Sequence, residues 1–207
     1  TNDNKSVYVA SPTGGVIIAF TRDELTGDIT EVSRHSGSPT GGFVSVSVSP
    51  DGKWVYGVGG SPSGLTVFKR DPETSSLTRV QDLVDNIDGN ALGQVFSPMG
   101  SPIKNIVVSK NGKWLYITSS GDNAVSLYNV NPDSGELTLI QIVINNVSGV
   151  AGIDAASSIL LSPDERHLYV SGQKASSIAI FSVDQNSGRM AYLNKVTNGE
   201  NSIEYMA

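Results

Sequence analysis

The amino-acid sequence predicts an all-β fold, a β-propeller built from four four-stranded blades. Three observations carry that expectation. Charged residues make up only 16% of the 207 residues while glycines number 22, which argues against disorder and against a mainly helical protein. A tyrosine-centred motif recurs four times. Each recurrence opens a block of constant length, the signature of a repeat architecture.

The motif reads Ser6-Val7-Tyr8-Val9, Trp54-Val55-Tyr56-Gly57, Trp114-Leu115-Tyr116-Ile117 and His167-Leu168-Tyr169-Val170, with tyrosines 48, 60 and 53 residues apart. Twelve residues after each tyrosine stands Phe20, Phe68, Tyr128 or Phe181, and nine further on stands Ile29, Leu77, Leu137 or Met190. The tyrosine-to-apolar distance is therefore 21 in every unit, and all length variation falls in the stretch leading to the next tyrosine, of 27, 39 and 32 residues. Alternating apolar residues, broken by Asp71-Pro72-Glu73-Thr74 or Asn131-Pro132-Asp133-Ser134-Gly135, read as three strands B, C and D joined by short hairpins. A further strand, A, precedes each later B, at Phe43–Val48, Ile106-Val107-Val108 and Ser158-Ile159-Leu160-Leu161. Its turn into B is Ser49-Pro50-Asp51-Gly52, Ser109-Lys110-Asn111-Gly112 or Ser162-Pro163-Asp164-Glu165, with proline and Asp/Asn/Gly supplying the turn dihedrals. Four strands in about 50 residues is the unit of a propeller blade, in which each sheet buries both faces against its neighbours.

In repeat phase, residues 1–5 align with Ser49-Pro50-Asp51-Gly52-Lys53, so the first blade opens without an A strand, and residues 203–207 align with 44–48 as an A strand with no blade after it. The expected blades within one domain, 1–207, are 1–35 plus 201–207, then 41–84, 103–145 and 156–198. The C-terminal strand would complete the N-terminal blade and close a four-bladed ring, hiding edges that otherwise invite pairing. A segment of a larger ring, of seven or eight blades, and two chains closing one eight-bladed ring fit the same phase.

At Val48-Ser49-Pro50-Asp51-Gly52-Lys53-Trp54-Val55-Tyr56 and Leu161-Ser162-Pro163-Asp164-Glu165-Arg166-His167-Leu168-Tyr169-Val170 the sequence resembles the lactonase-like, or YVTN-type, β-propellers. The resemblance continues through Phe68-Lys69-Arg70-Asp71-Pro72 and through residues 146–156, and so spans essentially the whole chain. It implies the propeller fold, with four units rather than seven. It also implies either 6-phosphogluconolactonase-like activity or a role as a propeller module of an exported or surface protein. No position matches in a way that carries a catalytic residue over.

Composition narrows the chemistry. A net charge of −6 disfavours nucleic acid and anionic lipid as partners. With no cysteine and two histidines, thiolate, iron–sulfur, cysteine-zinc and three-His centres are ruled out. The longest apolar runs, 15–20 and 139–144, are strand-sized, so no membrane insertion is expected. The Ser/Asn/Gly-rich, cysteine-free composition points to a secreted, periplasmic or cell-surface protein, with the cytoplasm left open.

Length variation in the D–A connections marks the face they share with the B–C turns as the binding face. Asp85, Asp88 and Asn90 lie in the longest of these loops. Their oxygen-rich spacing suggests calcium, but Val84 stands where an EF-hand needs an oxygen ligand, so only a looser calcium site remains and no other metal or cofactor is expected. Asp122 and Asn123 in a B–C turn, Asp154 in a D–A loop and Lys174 in the next B–C turn complete the candidate set, with Lys104 a further cation. His35 is a candidate base only if its loop folds inward, and His167 replaces the tryptophans as a packing residue. No Gly-x-Ser-x-Gly elbow or phosphate-cradling loop occurs. The expected function is a non-catalytic module presenting this face to a protein or glycan partner. A lactone hydrolase and a structural subunit self-associating through its terminal strands are the alternatives.

Overall fold

The structure, a computed structural model, describes residues 1–36, 42–60, 63–84 and 103–197. Among these residues there are strands and turns and no helix. The first sheet holds β1 (Ser6–Ser11), β2 (Val16–Arg22) and β3 (Ile29–Ser36). The second holds β4 (Phe43–Val48), β5 (Trp54–Gly60), β6 (Ser63–Arg70) and β7 (Leu77–Val84). The third runs through β8 (Ile103–Val108), β9 (Trp114–Ser119), β10 (Ala124–Val130) and β11 (Leu137–Ile144). The fourth runs through β12 (Ala156–Leu161), β13 (His167–Gly172), β14 (Ser177–Val183) and β15 (Met190–Thr197). Each is an antiparallel meander in sequence order, as the repeat predicts. The first sheet has three strands among the described residues; residues 201–207, expected to add its fourth, lie outside them.

The turn chemistry explains why the motif recurs. In each A–B turn one serine hydroxyl accepts the N–H that opens strand B and donates to the turn carboxylate or amide. The three instances are Ser49 with Trp54 (2.9 Å) and Asp51 (2.6 Å), Ser109 with Trp114 and Asn111, and Ser162 with His167 and Asp164. In each C–D turn an Asp or Asn oxygen accepts two successive backbone N–H groups, as Asp71 does from Glu73 and Thr74. Side-chain oxygens that satisfy turn N–H groups are what make Ser, Asp and Asn turn formers. The aromatic twelve residues past each tyrosine sits at a register shift between strands C and D, at Phe20, Phe68, Tyr128 and Phe181 alike. A bulge between strands C and D of every sheet sharpens the local twist at a fixed place.

The apolar residues pack between sheets. Ile17 meets Phe43, Val55, Phe68 and Leu77 between the first and second sheets. Tyr56, Leu65 and Val67 meet Leu115, Ile117 and Tyr128 between the second and third. Tyr116, Val125 and Leu127 meet Leu168, Val170 and Phe181 between the third and fourth. Polar links follow the same direction. The Tyr8 hydroxyl donates to the Ser75 carbonyl and the Tyr116 hydroxyl to the Gly188 carbonyl, both at 2.8 Å. Gln81 bonds the backbone N–H and carbonyl of Leu137, and Gln141 does the same to Met190. Gly135 and Gly188 lie against the rings of Trp54 and Trp114, where a Cβ would overlap the indole.

Between the first two sheets a polar cluster replaces the tryptophan–glycine contact. Arg70, with its side chain 2% exposed, pairs with Asp3 at 2.7 Å, donates twice to the Ser6 hydroxyl and once to the Gly52 carbonyl. Burial opposes ionisation of Asp3, but the Thr1 hydroxyl, the Arg70 guanidinium and the Lys5 N–H outweigh it and hold its pKa at about 2, below the ordinary 3.8. A depressed pKa contributes stability above the unfolded value that is lost as pH falls through the folded one. Acid unfolding followed by circular dichroism should therefore show an Asp3-dependent loss between pH 3.8 and about 2. Asp3→Asn should flatten that part of the curve, and an unchanged curve would mean that the pair contributes nothing.

Candidate functional site

Lys104, Asp122, Asn123, Asp154 and Lys174 come together at one end of the third and fourth sheets. The inner strands β8 and β12 are neighbours, and Asp154 stands two residues before the start of β12 while Lys104 is the second residue of β8. Ile103 pairs with Ser119, whose hydroxyl donates to the Asp122 carboxylate at 2.6 Å. Lys174 donates its backbone N–H to the Asp154 carbonyl, and Gln173 its own to the Ala155 carbonyl. Three consecutive connections, at 119–123, 145–155 and 173–176, thus form one surface.

The loop at 145–155 has its shape because its residues tolerate left-handed backbone. Asn146, Ser148, Gly149, Gly152 and Ala155 all have positive φ. For Ala155 that conformation costs about 1 kcal/mol, and the surroundings hold it there. Its N–H donates to the Asn123 side-chain oxygen at 2.6 Å, and the Asn145 side chain accepts the Ile153 N–H. Ser177 donates to the Gly152 carbonyl at 2.9 Å. Gly172 has no room for a Cβ, which would run into the Gly152 carbonyl.

The Asn123 side-chain oxygen thus holds Ala155 in place. Asn123→Ala should leave the Ala155 N–H unsatisfied at a cost of about 1–3 kcal/mol. Amide exchange at Ala155 should accelerate while exchange in the strands stays as it was. Asp122 is likewise engaged by Ser119. The Asp154 carboxylate, half-buried, accepts no hydrogen bond from any of the described residues. Lys174 and Lys104 are exposed. Asp85, Asp88 and Asn90, with the calcium reading that rests on them, lie outside the described residues. Among the described residues no cluster of three or more His, Asp and Glu side chains is arranged to hold a metal.

The histidines take other places. His35 stands on β3, its ring 5.6 Å from Phe68 and its Nε2 bonded to the Ser33 hydroxyl. Burial, with Arg79 nearby, keeps this imidazole below its ordinary pKa. It packs at the seam of the first two sheets, away from the loop cluster. His167 stacks on Tyr169 at 6.5 Å. A cleft of about 460 Å³ lies on the opposite face, between the turns that carry Trp54 and Trp114.

Sheets packed face to face in sequence, with their inner strands side by side, make this a β-propeller. A family model described as lactonase, 7-bladed beta-propeller, matches residues 1–92 and 88–202, and the chain belongs to that family. The 6-phosphogluconolactonase of Bacillus subtilis (strain 168) is 22% identical over 90% of this chain and 50% of its own length. That of Enterobacter sp. (strain 638) is 25% identical over 89% and 62%. The fold superposes on the Pseudomonas aeruginosa periplasmic gluconolactonase PpgL with a TM-score of 0.74 at 19% identity, covering 97% of this chain and 53% of that one. A Lactobacillus plantarum protein gives 0.71 at 21%, covering 92% and 50%. The chain thus spans about half to three-fifths of the length of these relatives. Because relatives matched along nearly the whole chain are named as lactonases, the expected non-catalytic module with a protein or glycan partner is replaced by the lactonase reading.

Proposed function

We propose that the chain forms part of a sugar-lactone hydrolase, with the loop cluster of the third and fourth sheets in its active site. The observation that carries this reading is the family match along nearly the full chain, supported by the lactonases named among its relatives. The residues at the inner strand ends suit the reaction. Asp154, whose carboxylate is not engaged by the described residues, accepts a proton from water as the water oxygen bonds to the lactone carbonyl carbon. Lys104 and Lys174 offer positive charge to the oxyanion that develops, or to a phosphate on the sugar. The tetrahedral adduct then collapses, the ring C–O bond breaks, and the ring oxygen takes the proton from Asp154 to leave the hydroxy acid.

The test is acid release by the full chain from glucono-δ-lactone and from 6-phosphogluconolactone, read against spontaneous hydrolysis in the same buffer. Turnover above background, greater for the phosphorylated lactone, is the expected result. A folded chain that adds nothing to either background rate would sink the reading.

A further inference from the structure

The residue before β2, β10 and β14 is Gly15, Asn123 and Ser176, and all three have positive φ. The turn at these places asks only for left-handed backbone, which glycine adopts freely and asparagine at small cost. In the first turn Gly15 lies against Gly42, the residue before β4, and a Cβ on Gly15 would stand 3.6 Å from the Gly42 Cα. The corresponding pair between the third and fourth sheets is Asn123 and Ala155, and here the contact carries the 2.6 Å hydrogen bond from the Ala155 N–H to the Asn123 side-chain oxygen. Asn123 does more than this. Its carbonyl accepts the Asn145 N–H at 2.9 Å, so one residue ties both the entrance and the exit of the loop at 145–155. Asn145 in turn accepts the Ile153 N–H at 3.3 Å. The N–H groups on either side of Asp154 are thus both held by asparagines, while the carbonyls of Asp154 and Ala155 accept from Lys174 and Gln173, each at 3.2 Å.

The backbone around Asp154 is fastened by three connections, yet its carboxylate is bonded to none of the described residues. A fixed backbone under a free carboxylate is the arrangement a general base needs, since a misplacement of about 1 Å can cost on the order of 10²-fold in rate. We propose that Asn123, with Asn145 beside it, is the positioning residue for Asp154, an inference that rests on the lactone-hydrolase reading above. It acts through the Ala155 peptide. Ala155 is held in a left-handed conformation that an L residue with a side chain leaves when its restraint is gone. Without the Asn123 oxygen that peptide turns, and the Asp154 carboxylate moves with it.

Two substitutions in the full chain separate the acceptor from the turn. Asn123→Gly keeps the left-handed backbone and removes the side-chain oxygen, whereas Asn123→Asp keeps an oxygen in the same place. With 6-phosphogluconolactone as substrate, Asn123→Gly should lower kcat about 10–100-fold and leave KM nearly unchanged, and Asn123→Asp should restore most of the loss. Amide exchange at Ala155 should be faster in the glycine variant and close to wild type in the aspartate variant, with near-ultraviolet circular dichroism unchanged in both. Asn145→Ala, which loosens only the Ile153 side, should give a smaller loss of the same kind. A kcat in Asn123→Gly equal to wild type, a loss carried by KM, or a loss in Asn123→Asp as deep as in Asn123→Gly would overturn the inference and leave the lactonase reading standing. A folded wild-type chain without turnover would remove both.

Discussion

Asp154→Asn is expected to lower kcat for lactone hydrolysis by about 10²–10⁴-fold, the usual worth of a positioned general base. The amide cannot take the proton from water, yet it keeps the size of the side chain, and the backbone carbonyl that accepts the Lys174 N–H is untouched. The loop at 145–155 should therefore hold, and KM should change little, since a base acts on the transition state more than on the bound lactone. Lys174→Ala makes the complementary case. It should raise KM for the phosphorylated lactone and leave the unphosphorylated one nearly as before, because it removes charge rather than the base. Steady-state kinetics on both substrates separates the two outcomes. If kcat is unaltered in Asp154→Asn, the base lies elsewhere on the ring.

Phe181→Ala should be the most damaging packing change, at about 3–5 kcal/mol. Phe181 is fully buried, meets Tyr192 edge-on at 5.6 Å, and sits at the bulge of the fourth sheet, in the core shared with Tyr116, Val125 and Leu127. Its removal leaves a cavity between two sheets whose backbones are fixed by their ladders, so little collapse can refill it. At this chain length the loss corresponds to roughly 6–20 °C in melting temperature. Leu25→Ala is the control: Leu25 is 97% exposed, and its truncation should change stability by under about 0.5 kcal/mol. Thermal melts of the two variants side by side check both values.

The architecture was legible because the tyrosine, the aromatic and the apolar residue keep their spacing, and only a repeated sheet requires that. The turns could be read for the same reason, since serine, aspartate, asparagine and glycine have few other uses at those positions. The bulge opposite Phe20, Phe68, Tyr128 and Phe181, where Val32, Val80, Ile140 and Leu193 are left out of the register, was hidden, because a constant block length does not show which residue is unpaired. The candidate site was half legible. Loop-length variation picked out Asp122, Asn123, Asp154 and Lys174, which the structure places at one end of the third and fourth sheets. It could not show that the Asn123 side chain is consumed in holding Ala155, because that bond joins turns 32 residues apart in sequence. The function was misjudged for a different reason. No catalytic motif stands in the sequence, and the relatives named as lactonases, which correct the expectation, are recognised by similarity along the whole chain and not by any one residue.

The placement of the apolar residues between sheets, instead of inside any one of them, makes the molecule a row of couplings between neighbours. Injury at one seam need not travel. A lesion at the contact of the first two sheets would leave the last two still clasped, and a scan by calorimetry would resolve shoulders in place of a single peak. Such a protein tolerates the gain or loss of a whole repeat more readily than the loss of one ring from the middle of a seam.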